Sequence, residues 1–159
     1  MAVLHDPELL QSLTETTTVG RFLKLRIQPL KIREATDVET AFAAMKKERA
    51  EALITLPPAG IAVHQNRILE LCAKNRLPAM HSSSAWVEAG GLMSYGPDFS
   101  DNDRRVAILV DKILKGTKPT DIPVEQPMRF EFVINLIAAK QIGVTIEPNV
   151  LVRATKVIR

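Results

Sequence analysis

Short apolar runs return along this chain at intervals of roughly 25 residues, and a segment of helical period follows each one. The runs are Ala2-Val3-Leu4, the alternating Leu25-Arg26-Ile27-Gln28-Pro29-Leu30-Lys31-Ile32, Ala52-Leu53-Ile54-Thr55-Leu56, Leu77-Pro78-Ala79-Met80-His81 and Leu92-Met93-Ser94-Tyr95. Parallel strands cannot be joined by a tight turn. They need a crossover of a dozen residues or more, usually a helix, and that crossover is right-handed. The rhythm therefore predicts an α/β fold, a three-layer Rossmann-like or flavodoxin-like parallel sheet with helices on both faces.

Local signals refine the outline. Leu9, Leu10 and Leu13 share one side of a helix expected over 7–23, opened by Pro7 and fraying through the threonines at 14 and 16–18. Pro29 cannot donate to a ladder, so its strand is expected at an edge or a bulge. Thr36 and Glu39 have the spacing of a capping box, and Val38, Phe42 and Met45 then line one helix face as far as Arg49. The run 52–56 reads as a strand covered on both faces, closed by Pro57-Pro58-Ala59-Gly60. A helix over 61–75 turns Ile61, Ile68, Leu71 and Cys72 inward, and Ser82-Ser83-Ser84 opens a short helix through Trp86.

After Gly96-Pro97 the rhythm changes. Ser100 with Asp103 marks a helix start, and Val106, Leu109, Val110, Ile113 and Leu114 form an apolar stripe ending at Gly116. Residues 118–123 read as a loop and 129–135 alternate like a strand. Residues 136–140 form a short helix closed by Gly143, and Pro148 starts a terminal helix carrying Val150, Leu151, Ala154, Val157 and Ile158.

Composition removes several classes of function. The net charge is only +3, its lysines and arginines are scattered, and aromatics make up 4 %, which is poor material for a nucleic-acid surface. One cysteine, Cys72, excludes an internal disulfide and is expected in the core. His5, His64 and His81 lack metal-ligand spacing, so no metal is expected. There is no Gly-rich phosphate loop, no G-x-S-x-G and no carboxylate pair on one face, so neither catalysis nor a cofactor is expected. The first residues carry no basic and apolar export signal, and no run has the ~20 apolar residues of a membrane span.

Several stretches carry a family resemblance. They are Gly90-Gly91-Leu92-Met93-Ser94-Tyr95-Gly96-Pro97, Val110-Asp111-Lys112-Ile113-Leu114-Lys115-Gly116, Pro123-Val124-Glu125-Gln126-Pro127, and the Phe-x-x-Val-Ile-Asn-Leu of 130–136. With the chain that follows, they closely resemble the C-terminal part of ABC transporter solute-binding proteins, in the family with tryptophan- and phenylalanine-binding members. Residues 2–89 resemble the second lobe of that family more loosely, through Ala41-Phe42-Ala43-Ala44-Met45 and the turn from Leu53 to Pro57. The resemblance implies a type I periplasmic binding protein fold, of which this chain matches only the second half. It implies a lobe at 1–96 and a tail at 97–159 that returns to the first lobe. In the family, the 106–114 stripe and the 129–135 strand pack on that lobe. It further implies a non-catalytic binder of a small solute, an amino acid among the options, that serves an ABC permease in the periplasm or at the membrane. The chain as written, lacking an export signal, would stay in the cytoplasm.

Ligands of open α/β sheets sit beyond the carboxyl ends of the strands. In this chain those ends offer Asp6 for an ammonium group, Pro57 as a wall, Ser83 and Ser84 for a carboxylate, and Tyr95 for stacking or a hydrogen bond. Asp6, Ser83 and Ser84 equally suit plain helix caps, and Tyr95 suits packing under the tail. One lobe covers one side of a small ligand, so weak binding or none is expected from it alone. A homodimer through the tail is expected, because its stripe needs a partner. The competing reading is a cytoplasmic dimeric sensing or interaction module, or a non-functional gene fragment.

Overall fold

The computed structural model describes residues 1–8, 10–57 and 59–159, apart from the side chain of Ala59. Leu9 of the expected first-helix stripe and Pro58 of the strand-end turn lie outside the described residues. The elements run β1 Ala2–His5, α1 Leu10–Phe22, β2 Gln28–Lys31, α2 Ala35–Lys47, β3 Leu53–Thr55, α3 Ala59–Ala62, α4 Gln65–Lys74, β4 Ala79–His81, α5 Ser84–Glu88 and β5 Met93–Pro97. They continue with α6 Phe99–Leu114, a 3₁₀ turn at Pro119–Asp121, β6 Phe130–Asn135, α7 Leu136–Ile142, α8 Pro148–Leu151 and β7 Lys156–Ile158.

One sheet holds every strand, in the order β2-β1-β3-β4-β5-β6-β7. The first five are mutually parallel, β6 runs antiparallel to β5, and β7 is parallel to β6. β2, which carries Pro29, is at an edge, as that residue requires. The main core lies on the face of Leu4, Leu53 and Ala79. There Val38, Phe42 and Met45 of α2, Ile68, Leu71 and Cys72 of α4, and Trp86 of α5 close over the sheet. α1 packs beside β1, on the opposite face by the handedness of its crossover.

Six sequence expectations are corrected. Helices stand on both faces as expected, α1 on one and α2, α4 and α5 on the other, but β3 is not enclosed: Ile54, on the face away from α4, is only partly covered. The helix expected over 61–75 is two, broken at Val63 and His64.

The cap of α2 is not the Thr36/Glu39 pair. The pair is instead Glu34 at the N-cap and Asp37 three residues on, whose carboxylate accepts the N–H groups of Arg33 (2.8 Å) and Glu34 (3.2 Å), which holds its pKa below the usual carboxylate range. The start of α6 shifts in the same way: Asp98, not Ser100, is its N-cap and accepts the Asp101 N–H at 3.2 Å.

The strand at 129–135, expected to reach a first lobe, instead pairs with β5 from Met93↔Ile134 to Pro97↔Phe130, which buries Val133 and Ile134 completely. The terminal helix stops at Leu151. Thr155 then fixes the last residues as an edge strand: its N–H donates to the Phe132 carbonyl, and its hydroxyl accepts the Phe132 N–H.

Candidate functional site

The carboxyl ends of β1, β3, β4 and β5 are neighbours, so the four strand ends form one row. Asp6, Pro57, Ser83 with Ser84, and Tyr95 occupy it in that order. At ~4.8 Å per strand, two steps separate the Asp6 end from the serine end, a span of about 10 Å. Two hydrogen bonds of ~2.9 Å would leave about 4 Å between them for a small zwitterion.

Each residue has a definite local setting. One carboxylate oxygen of Asp6 accepts the Glu8 N–H at 2.8 Å and tightens the turn into α1. The other oxygen faces Gly60, where an added Cβ would stand 3.4 Å away. Asp6 therefore tightens the turn into α1 and also lies beside α3.

Ser83 occupies the N-cap position of α5 without its side chain making a capping bond. It and Ser84 are only partly buried, so their hydroxyls reach solvent at the row. The loop carrying them is clamped from behind, because the Ser82 carbonyl lies against Gly96, where a Cβ would come within 1.9 Å of that oxygen. β5 must have glycine at this point.

Tyr95 is 57 % exposed and thus not packed under the tail. Its ring stacks on Phe130 at 5.7 Å and meets the edge of Phe132 at 6.4 Å, both from β6. One aromatic face remains open. These phenylalanines were missed by sequence reasoning. The alternation of Phe130 and Phe132 gives their common face, but only the Tyr95↔Phe132 register brings them to the strand-end row.

Behind the row runs a buried polar layer. Thr55 Oγ1 and His81 Nδ1 share a hydrogen bond of 2.9 Å, and Trp86 stacks on the imidazole at 4.4 Å and 9°. Burial pushes His81 down to about 4, so it is a neutral core histidine. Burial likewise pushes the Cys72 thiol up to about 12, as suits a packed side chain and not a nucleophile. A groove of about 440 Å³ opens beside the row at His5 and Pro7, and Pro29, Lys31 and Asp37 also line it. Among the described residues no helix is long and apolar enough to cross a membrane.

A doubly wound sheet with an open polar row at its strand ends is the architecture of a ligand-binding lobe. The chain matches the model of the ABC transporter substrate binding protein family over residues 10–158, and it belongs to that family.

Solved structures agree on the fold. A conserved domain protein of Vibrio cholerae superposes with a TM-score of 0.87 at 25% identity, over 98% of this chain and 53% of its own. An ABC domain from Streptococcus pneumoniae, in complex with L-Trp, gives 0.84 at 24% identity, over 99% of this chain and 54% of its own. A ligand-free, open substrate binding protein with adhesive properties from Clostridium difficile gives 0.67 at 16% identity, over 99% and 53%. The chain thus spans about half the length of these structures. No curated protein matches it.

Proposed function

We propose that this chain is a solute-binding lobe that takes an amino acid, or a similar small zwitterion, at the strand-end row. The Asp6 carboxylate holds the ammonium group, the hydroxyls of Ser83 and Ser84 hold the carboxylate, and Pro57 lines the space between. Tyr95, backed by Phe130, offers its open face to a planar side chain. The lobe works without catalysis and delivers to an ABC permease outside the cytoplasmic membrane. Residues 98–129 form the arm that meets a partner body, and a second copy packs through that arm.

The observation that carries the reading is the Ser83 hydroxyl. It stands at an N-cap yet accepts no capping bond from the helix, which leaves the hydroxyl free to turn outward and donate to an external carboxylate. One row encloses only one side of a ligand, whereas good sites cover ~70–90 % of it, so affinity of the isolated chain is millimolar, about −4 kcal/mol. Amide NMR during an L-tryptophan titration tests this. Shifts concentrated at 6, 56, 83–84 and 95 are expected, and they shrink in S83A/S84A. Micromolar binding, or no shift at these positions at saturating solubility, would overturn it.

A further inference from the structure

The helices after β2, β3 and β4 all land on one face of the sheet, and α1 serves the other face only beside β1. From β3 to the carboxyl-end half of β5 that second face is therefore thinly covered, whereas at the far end of β5 and β6 Ile134 is buried and Met93 packs against the α7 cluster. On the thinly covered part Ile54, Met80 and Phe132 are partly exposed, and Tyr95 and Phe130 are about half exposed. The shortfall traces to α6. A helix leaving β5 would ordinarily fold back onto the sheet, but no residue of α6 is buried.

α6 presents Phe99, Val106, Val110 and Ile113 within a narrow arc of its surface, all 42–56 % exposed, along about 21 Å of helix. Its first turn is held at the end of the β5–β6 ladder: the Asp98 N–H donates to the Arg129 carbonyl at 3.0 Å, and the Asp98 carboxylate caps the helix. An ion pair between Arg105 and Glu125 fastens the returning segment alongside, so helix and returning segment form one arm.

One chain thus carries a bare apolar helix face and a bare apolar sheet face, each the kind of surface that covers the other. We propose that two copies exchange these arms, with α6 of each lying over β4 and β5 of the other. The proposal rests on the dimer of the preceding subsection and assigns its surfaces. The arrangement is isologous, so both contacts form in a closed pair and none is left to propagate. A stripe ~21 Å long and ~10 Å wide, counted with the sheet it faces and doubled by symmetry, gives a planar footprint on the order of 800 Å². Accessible area over corrugated side chains exceeds the footprint, which brings the pair close to the ~1,200 Å² of the smaller stable interfaces.

Cross-linking of the full chain tests the assignment. Val110 is exposed, and Met80 to cysteine is a small apolar change, so V110C/M80C is expected to fold. The native Cys72 is buried and does not compete. Under mild oxidation, V110C/M80C is expected to give a covalent dimer, with neither single variant doing so. I113D is expected to weaken the dimer about tenfold or more by sedimentation, with an unchanged circular dichroism spectrum. A covalent dimer from V110C alone would overturn the assignment while leaving a dimer, since the two helices would then face each other. A monomer at tens of micromolar would overturn both.

Discussion

His81 shows how a single side chain sets a condition on the whole fold. Its ring lies between Thr55 and Trp86 with 2 % of its surface exposed, and its Nε2 has no hydrogen-bond partner among the described residues. Burial lowers its pKa from 6.5 to about 4, so as pH falls the unfolded chain takes up a proton before the folded one does. The stability this group supports is complete above pH 6.5. It is lost at about 1.4 kcal/mol per pH unit between 6.5 and 4, roughly 3 kcal/mol in all. Urea unfolding at pH 7 and pH 5 is expected to differ by about 2 kcal/mol, and H81Q is expected to remove most of that difference. Equal free energies at the two pH values would show that the ring is not held neutral. At the same scale, the Cys72 thiol is expected to resist an aromatic disulfide reagent until urea unfolds the chain, because its thiolate is suppressed as well as covered.

Between elements, the tightest constraint is the approach of β5 to the serine loop. A Cβ at Gly96 would fall 1.9 Å from the Ser82 oxygen and 2.9 Å from its carbon, both backbone atoms that cannot rotate away. A Cβ at Gly20 would fall 2.5 Å from Ile27, but against a side-chain carbon that can change rotamer. G96A is therefore expected to cost about 3 kcal/mol or more, and G20A about 1 kcal/mol, by chemical denaturation. Similar costs would mean that the loop yields as easily as a side chain. The first five strands and their helices were legible because apolar runs and 3.6-residue stripes are written into consecutive residues. Helix starts were less so. Thr36, Asp37, Asp98 and Ser100 all suit a helix start and spacing alone does not choose among them; the structure pairs Glu34 with Asp37 at α2 and uses Asp98 at α6. The end of the chain was misread because Val157 and Ile158 fit a helical stripe as well as a strand, and only β6 beside them decides. The candidate row was legible as strand ends, since Asp6, Pro57, Ser83, Ser84 and Tyr95 follow or close apolar runs. Its aromatic wall was not, because Phe130 reaches Tyr95 through an antiparallel register that no local pattern encodes.

In the whole molecule, the fold and the arm are separable. β6 and β7 complete the sheet that β1 to β5 begin, so only the excursion from β5 to β6 stands apart from the core. Its ends meet: Pro97 and Phe130 are register partners, and the Asp98 N–H bonds the Arg129 carbonyl. Residues 99–128 can therefore be replaced by Asn-Gly, the two-residue turn that matches the twist of an antiparallel pair. No residue of α6 is buried, so its removal takes nothing from the core. Shortening a connection of about 30 residues to two lowers the cost of closing it by about 2 kcal/mol, at ~0.6 kcal/mol per halving. The shortened chain is expected to fold to the same sheet, to unfold cooperatively with stability equal to the parent or up to about 2 kcal/mol higher, and to be monomeric. It should also keep the weak amino-acid shifts at 83 and 84, since none of the row lies in the excised segment. Circular dichroism, urea unfolding and sedimentation decide the matter together. A chain that fails to fold would make α6 a structural member of the lobe. A chain that folds but still dimerises would move the interface off the arm, to the bare sheet face alone.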